Sequence, residues 1–293
     1  MNSLTMAVQF FLLIFAELTV LFLGISTLVG LVLHYVSDET LRRWLSKRGL
    51  LGNVLGATLG AVTPFCSCST IPMTVGLLRA GVPFGATMSF VLASPLLNPI
   101  ILTMFWVLLG WKACLAYGAV TFLASTLAGV ALQAMGLAAD IKKVRVTGTH
   151  DRVALPTFRD KLRSAFVTAW RDFRGVLLYL VIGVAIGAAI YGYLPGDFVV
   201  GIAGPDNPLA IPVAAIIGVP LYVRAETVIP IAVALTQKGM SMGAVIALII
   251  GGAGMSIPEM SMLAAIFKPR LVGVFVGVVF LMAVVAGFVF NVI

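Results

Sequence analysis

The sequence predicts an all-α polytopic membrane protein. Of its 293 residues, 61% are hydrophobic and only 10% are charged, and the mean hydropathy is +1.12. Soluble domains carry charges at about a quarter of their positions, so this composition excludes a soluble globular protein. Only helices and closed barrels satisfy backbone hydrogen bonds inside a bilayer, and the apolar stretches lack the alternation of barrel strands.

The charge and cysteine content excludes several further classes. The chain holds 19 Lys and Arg against 11 Asp and Glu, but these basic residues form no face with aromatic side chains. We therefore expect the lipid bilayer, and not nucleic acid, as a partner. Three cysteines are too few for a disulfide framework. The sequence has no Walker P-loop and no paired haem histidines, so we expect no enzyme activity and no cofactor.

Long stretches without Asp, Glu, Lys, Arg or His supply the membrane spans, since a transmembrane helix needs ~20 apolar residues. They cover residues 18–33, 50–78, 80–111, 113–139, 175–196, 207–223, 239–258 and 271–293. Segment 1–33 has no basic region and is followed by further apolar spans. We expect it to be a retained helix and not a signal peptide.

Two basic segments predict the orientation. One lies around Arg42 and Arg43, and the other runs from 140 to 174. Because basic loops stay on the cytoplasmic side, both are expected inside, with the two chain termini outside an inner membrane. In the second segment, Thr157 and Asp160 form a capping box that predicts the start of an amphipathic helix at the membrane surface.

Proline-rich breaks interrupt several spans. The stretch 50–78 is broken at 63–72 and favours a re-entrant hairpin of two short helices, and 208–237 is expected to form a second hairpin from the opposite side. The remaining expected spans are 84–111, 113–136, 175–195, 242–267 and 271–293. The prolines predicted to break helices are Pro64, Pro72, Pro95, Pro99, Pro220, Pro230 and Pro258.

A shift of 158 residues aligns the two halves of the chain. It pairs Pro72 with Pro230, Gly81 with Gly239, Gly85 with Gly243 and Ala86 with Ala244, and a one-residue slip then pairs Pro99 with Pro258. We expect a first transmembrane repeat at 1–139, a cytoplasmic linker at 140–174 and a second repeat at 175–293. Inverted repeats with broken helices are typical of secondary transporters. Compositional coincidence is the alternative.

Cys66 and Cys68 lie in the first break beside Ser67 and Ser69. On an ideal helix two such thiols diverge by about 200°, whereas on a non-helical break both could face one cavity. Soft thiolates bind Cu(I), Zn or trivalent arsenic in preference to hard ions. The alternative is that they are small buried apolar residues, which is the interpretation we favour for Cys114.

Charges inside the predicted spans are costly, so each is a functional candidate. Arg224 and Glu226 lie at the repeat position opposite the two cysteines. Arg224 could attract an anionic or thiolate-bound substrate and Glu226 could carry a coupling proton; a mutually neutralising structural pair is the alternative. Glu259 is a second proton-carrying candidate, or else an end-of-helix residue near the turn at Lys268.

Asn98 lies in an interrupted span, between two prolines that free backbone carbonyl groups. Its amide either binds substrate or satisfies those carbonyls. The predicted substrate-binding set is Cys66, Ser67, Cys68, Ser69, Asn98 and Arg224.

The decapeptide Thr63-Pro64-Phe65-Cys66-Ser67-Cys68-Ser69-Thr70-Ile71-Pro72, together with Ser94-Pro95-Leu96-Leu97-Asn98-Pro99, resembles the predicted-permease family that includes the organoarsenical efflux permeases of the ArsP type. The resemblance covers most of the chain. It implies an inner-membrane permease, and in the arsenic-handling members of the family the motif cysteines coordinate trivalent organoarsenicals during export. That role falls on Cys66 and Cys68 alone.

Three functions follow as hypotheses. The first is a secondary permease that exports a soft, thiol-reactive solute, such as a trivalent organoarsenical or a related small metalloid or anionic compound, by alternating access. The second is a membrane redox protein that uses Cys66 and Cys68 as a thiol relay. The third is an assembly subunit without flux of its own. The sequence leaves the formation of a homo-oligomer open.

Overall fold

The computed structural model of the chain describes the central and C-terminal regions almost continuously. The described residues are 8, 9, 11–13, 15, 16, 19, 20, 23, 24, 26–28, 31, 45, 49–63, 67–142, 158–193, 209–221, 236 and 240–292.

This part of the chain is almost entirely helical. Its helices are α1 (Leu50–Val62), α2 (Ser67–Arg79), α3 (Phe84–Leu96), α4 (Pro99–Ala134), α5 (Phe158–Tyr193), α6 (Ala210–Leu221), α7 (Met242–Gly254), α8 (Ile257–Ile266) and α9 (Pro269–Val292). A short 3₁₀ helix, Leu137–Asp140, follows α4. Ile141 and Phe267 form an isolated antiparallel bridge.

Two of the described helices are long and apolar enough to cross a bilayer. They are Ile101–Ala134, within α4, and Pro269–Val292, which is α9. Helices α7 and α8 form a third candidate span that is bent by 43°. The shorter α1, α3 and α6 are also apolar. These observations confirm the all-α membrane class.

The expected spans 84–111 and 113–136 correspond to α3 and α4. The first span is interrupted at residues 97–98, and the boundary between the two spans lies at Gly110, whose non-helical backbone (φ 86°, ψ 166°) divides α4 into two helical parts. A side chain at residue 110 would make this positive φ unfavourable, whereas glycine adopts it readily. The Cys114 thiol lies 3.3 Å from the Leu102 carbonyl oxygen, twelve residues away, so the chain folds back at the glycine, close to the turn expected between the two spans.

Helix α5 also differs from expectation, because the predicted amphipathic helix and the span 175–195 form one continuous helix of 36 residues. Thr157 of the predicted capping box lies outside the described residues. Helix α5 packs against α8, and it buries Ala165, Ala169 and Phe173 along one face. This packing continues the helix through the basic segment.

Close glycine contacts join the helices in both halves. In the first half, a Cβ atom on Gly60 would lie 2.9 Å from the Phe90 carbonyl oxygen. In the second half, a Cβ atom on Gly218 would lie 2.5 Å from the Leu248 carbonyl oxygen. The corresponding residues are 158 positions apart. In both halves the absence of a side chain allows backbone-to-backbone packing.

Side-chain amides cap the starts of α3 and α7 in the same way. The Gly85 N–H donates to Gln133 Oε1 at 3.1 Å, and the Gly243 N–H donates to Asn291 Oδ1 at 2.9 Å. Each pair is separated by 48 residues. First-turn N–H groups have no partner within their own helix, so the ends of α4 and α9 supply the missing acceptors.

Gln133→Leu and Asn291→Leu are each expected to lower the free energy of unfolding, because a buried backbone N–H loses its acceptor. Both amides are exposed at their outer ends, which places the effect near the lower limit of the about 1–3 kcal/mol typical of such losses. Thermal unfolding in detergent measures the change. Thr103→Val, which removes only an exposed hydroxyl bonded within its own helix, is the control, and equal melting temperatures for all three variants would contradict the prediction.

The end of α4 and the turn between α8 and α9 lie together. The Lys268 N–H donates to the Asp140 carbonyl oxygen at 2.9 Å, and the Lys142 N–H donates to the Ile266 carbonyl oxygen at 2.9 Å. Lys268 Nζ also forms an ion pair with Asp140 Oδ1 at 3.3 Å. These bonds hold the turn between α8 and α9 directly against the segment that follows α4.

Candidate functional site

Helix α3 ends at a break flanked by prolines. Pro95 lies in its last turn, and Leu97 (φ −109°, ψ 17°) donates its N–H to the Ala93 carbonyl oxygen at 2.8 Å. Helix α4 begins at Pro99. Proline suits this position because it has no N–H group, and the N–H of a first helical residue would have no partner in the helix. Proline also disfavours a helical conformation for the residue before it. Asn98 is therefore held at the break, where it is 6% exposed.

A second break separates α7 from α8. Met255 (φ −141°, ψ 38°) donates its N–H to the Gly251 carbonyl oxygen at 3.1 Å. Ser256 is the N-cap residue of α8, and its carbonyl oxygen accepts from the Met260 N–H at 2.9 Å. Glu259 lies in the first turn of α8 and is 3% exposed. It is thus a buried residue beside the break, at the opposite end of α8 from the turn at Lys268.

The two breaks correspond at a constant separation of 158 residues. Leu97 corresponds to Met255, and Asn98 corresponds to Ser256. The one-residue slip that pairs Pro99 with Pro258 is therefore not needed. Pro99 is the first residue of α4 and Pro258 the second residue of α8, and proline fits both positions because neither N–H has a partner within its helix.

The breaks are also adjacent in space. A Cβ atom on Gly254, at the end of α7, would lie 3.7 Å from Leu96 Cδ2, at the end of α3. Helix α2 packs against both α3 and α8. Helix ends from the two halves and the helix of the cysteine motif therefore meet in one region.

One hydrogen bond connects the two sequence motifs. Thr70, in the first turn of α2, donates from Oγ1 to Ser94 Oγ at 3.4 Å, and both residues are buried. Thr70 belongs to the cysteine decapeptide, and Ser94 begins the segment that contains Asn98. The structure thus brings the cysteine-bearing helix onto the last turn of α3, one turn before the break.

Several predicted site residues are described only in part or not at all. The residues that lie outside the described part of the chain are Pro64, Cys66, Arg224, Glu226 and Pro230. Other predicted site residues have a described, helical backbone, but their side chains lie outside the description. They are Ser67, Cys68, Ser69, Pro72, Pro220 and Pro258. The binding roles predicted for them stay predictions. The break expected at 63–72 is shorter than predicted, because α2 begins at Ser67 and its backbone is helical through Cys68 and Pro72.

The described residues provide no metal centre of their own. They contain no group of three or more His, Cys, Asp or Glu side chains suited to a metal ion. Cys114, a free and buried cysteine, donates its thiol to the Leu102 carbonyl oxygen at 3.3 Å. That contact fits the packing role expected for it.

Sequence reasoning missed the contact between Thr70 and Ser94 and the two amide caps. The caps had a usable signal, because Gln133 and Asn291 are themselves 158 residues apart and each follows a repeat-paired glycine by 48 residues. The contact of Thr70 with Ser94 had none, since two hydroxyl residues 24 positions apart are common in any sequence.

Known proteins resemble the chain over most of its length. A family model described as "Predicted permease", of the ArsP type, matches residues 3–292. The UPF0718 protein YcgR of Bacillus subtilis is 30% identical over 84% of this chain and 83% of its own length. The UPF0718 protein MJ0584 of Methanocaldococcus jannaschii is 20% identical over 82% of this chain and 81% of its own.

A third relative carries a more specific name. The putative two-component membrane permease complex subunit of Streptococcus mutans is 23% identical over 94% of this chain and 92% of its own length. No solved structure matches the chain significantly. The match over nearly the whole length, together with the apolar helices and their paired breaks, shows that this chain belongs to the ArsP-type family of predicted permeases, a family of membrane proteins.

Proposed function

We propose that the chain is a secondary permease of the inner membrane that exports a soft, thiol-reactive solute by alternating access. A trivalent organoarsenical or a related small metalloid or anionic compound fits this description. The observation that carries the proposal is the hydrogen bond between Thr70 and Ser94. It packs the helix of the cysteine motif against the helix that ends at the Asn98 break, where backbone groups become available to a solute.

The two halves, 1–139 and 175–293, are inverted repeats in this proposal, joined by a cytoplasmic linker at 140–174. The matched glycine contacts, the matched amide caps and the matched breaks support a repeat, since all recur at one separation. The two cytoplasmic basic segments require an even number of crossings between them, and the first span adds one more. The resulting odd number of crossings in the first half inverts the second half relative to the first. Both chain termini then lie outside.

Residues of the two halves have different roles in the transport cycle. Cys66 and Cys68 supply soft ligands, and two ligands hold a thiophilic cargo without trapping it as a closed metal site would. Ser67, Ser69, Asn98 and Arg224 complete the binding site. Glu226 and Glu259 carry coupling protons. Pro95, Pro99 and Pro258 lie beside the two helix breaks, where the site opens alternately to each side.

Uptake into inverted vesicles tests the proposal. The cargo panel is methylarsenite, arsenite, Cu(I), Zn(II) and small sulfur anions. For the transported cargo, Cys66→Ser and Cys68→Ser are expected to reduce the initial rate at least about tenfold, the equivalent of about 1.4 kcal/mol of activation free energy. Cys114→Ser is the matched control and is expected to leave the rate unchanged, because a hydroxyl can donate to the Leu102 carbonyl as the thiol does.

The same preparation separates the rival functions. A permease keeps both motif thiols reduced, and the cargo protects them from alkylation, whereas a thiol relay would show them cycling between reduced and oxidised states in cells. The name of the Streptococcus mutans relative favours a second candidate, a permease subunit that needs a partner chain. Uptake that appears only in vesicles containing a co-purified partner would support it. No cysteine-dependent uptake in either preparation would refute the soft-ligand mechanism.

A further inference from the structure

A line of hydroxyl groups runs between α3 and α4. At one end of this helix pair, Gln133 accepts from the Gly85 N–H, and one turn further Gly129 lies directly against Ser89. The α4 positions that continue this face in steps of four are Ser125, Thr121 and Tyr117. All three are buried, at 0%, 1% and 0% exposure. We call Ser89, Thr121, Ser125 and Tyr117 the hydroxyl line.

The second half has the same helix pair without the hydroxyl groups. The residues 158 positions after the hydroxyl line are Ala247, Val279, Ala283 and Phe275, all of them buried. Each of these residues resembles its counterpart in the hydroxyl line in size and shape. It either lacks the hydroxyl group or has a methyl group in its place. The packing around the line is matched as well: Gly129 approaches Ser89 and the Gly85 carbonyl oxygen, and Gly287 approaches the equivalent Ala247 and Gly243. Packing of these helices therefore does not require the hydroxyl groups.

Two members of the line have unused hydrogen-bonding groups. Tyr117 Oη and Ser125 Oγ are inaccessible to solvent and have no hydrogen-bond partner among the described residues. Thr121, between them, donates to the Tyr117 carbonyl oxygen and keeps its lone pairs. At the other end, Ser89 donates to Asn53 Oδ1 at 3.3 Å. Buried hydroxyl groups in membrane-spanning helices are costly unless a polar ligand binds them.

We propose that the hydroxyl line binds a row of internal water molecules. This row extends through the first half of the protein toward the break at Asn98, and the second half has no equivalent row. Side chains four residues apart on a helix lie about 6 Å apart. Two hydrogen bonds through one water molecule span about the same distance. Successive members of the line can therefore share one water molecule each, which gives every water the two or more polar partners it needs. The inference is independent of the cargo.

X-ray radiolytic footprinting of the full-length protein in nanodiscs tests the proposal. Radicals form from bound water and label the nearest side chain. The reporter is Phe105, which stacks on Tyr117 at 4.2 Å between ring centroids, and the internal reference is Phe275; both are 0% exposed. Phe105 is expected to be labelled on the order of tenfold faster than Phe275, since only its surroundings hold ordered water.

Variants that copy the second half provide the decisive comparison. The combination Ser89→Ala, Thr121→Val, Ser125→Ala and Tyr117→Phe is expected to lower Phe105 labelling to the rate of Phe275. Tyr117→Phe alone, which is the mildest change, is expected to lower it partly and guards against a folding defect in the combined variant. Thr58→Val removes an exposed hydroxyl on α1 and is expected to change nothing. Equal labelling of the two phenylalanines in the unaltered protein, or unchanged Phe105 labelling in both variants, would overturn the proposal.

Discussion

Gly251→Ala is expected to destabilise the protein, because a methyl group has no room where α7 packs on α6. A Cβ atom on Gly251 would collide with the carbonyl oxygen of Ala215 and would lie 3.1 Å from its carbonyl carbon. These atoms belong to the backbone of α6, so no side-chain rotation relieves the contact and the two helices must separate. Overpacking of this kind costs about 1–3 kcal/mol or more. The melting temperature in detergent measures the loss.

Gly277→Ala is the matched control and is expected to have the opposite sign. Gly277 lies within α9, and a Cβ atom there would have no neighbour within 4 Å. Alanine is favoured over glycine in a helix interior by up to about 1 kcal/mol, so this variant should melt at the same or a higher temperature. Equal behaviour of the two variants would contradict the close packing of α6 on α7.

The equivalent contact in the first half extends the prediction. A Cβ atom on Gly56 would collide with the Ala86 carbonyl oxygen and would lie 3.0 Å from its carbonyl carbon. Gly56→Ala is therefore expected to destabilise the α1–α3 pair by a similar amount, with Gly76→Ala as its control in open space on α2. Similar losses in both halves would show that the two helix pairs contribute alike to stability.

Helix positions could be predicted from the sequence because prolines and glycines act locally. Pro99 fits the first position of a helix and disfavours a helical residue before it, so the break before α4 was expected. The continuity of α5 was not expected. The composition changes from basic to apolar at residues 174–175, and this change marks the boundary of a predicted span but does not end the helix. Hydropathy identifies the part of a helix that prefers lipid, and backbone hydrogen bonding decides where the helix stops.

The contacts of the candidate site could not be predicted in the same way. They depend on how each helix is rotated about its axis, which packing decides. Glu259 shows the difference: from its sequence position it could be an end-of-helix residue near the turn at Lys268, whereas the break at Met255 and Ser256 places it in the buried first turn of α8. The repeat was detectable because residues at one fixed separation occupy the same position along their helices and also lie on the same helix face.

Glu259→Gln is expected to abolish accumulation driven by a pH gradient in inverted vesicles while leaving exchange of cargo across the membrane intact. The substitution keeps the size of the side chain and its ability to hydrogen-bond, and it removes only the exchangeable proton. Asp140→Asn is the control, since it removes a carboxylate that pairs with Lys268 at the surface, and it should leave both activities unchanged. Loss of exchange together with accumulation would assign Glu259 to cargo binding or folding and not to coupling.

The position of Glu259 gives this prediction its physical basis. An ionised carboxylate at bilayer depth costs about 2.5–3.5 kcal/mol on insertion scales. The N-terminus of α8 offsets about 0.3–1 kcal/mol of that cost, and up to about 2 kcal/mol in a partly buried site. The remaining difference is small enough for the binding of a charged cargo at the adjacent breaks to reverse it. A proton can then be taken up or released at Glu259 as the cargo leaves or arrives, which is the linkage that secondary transport requires.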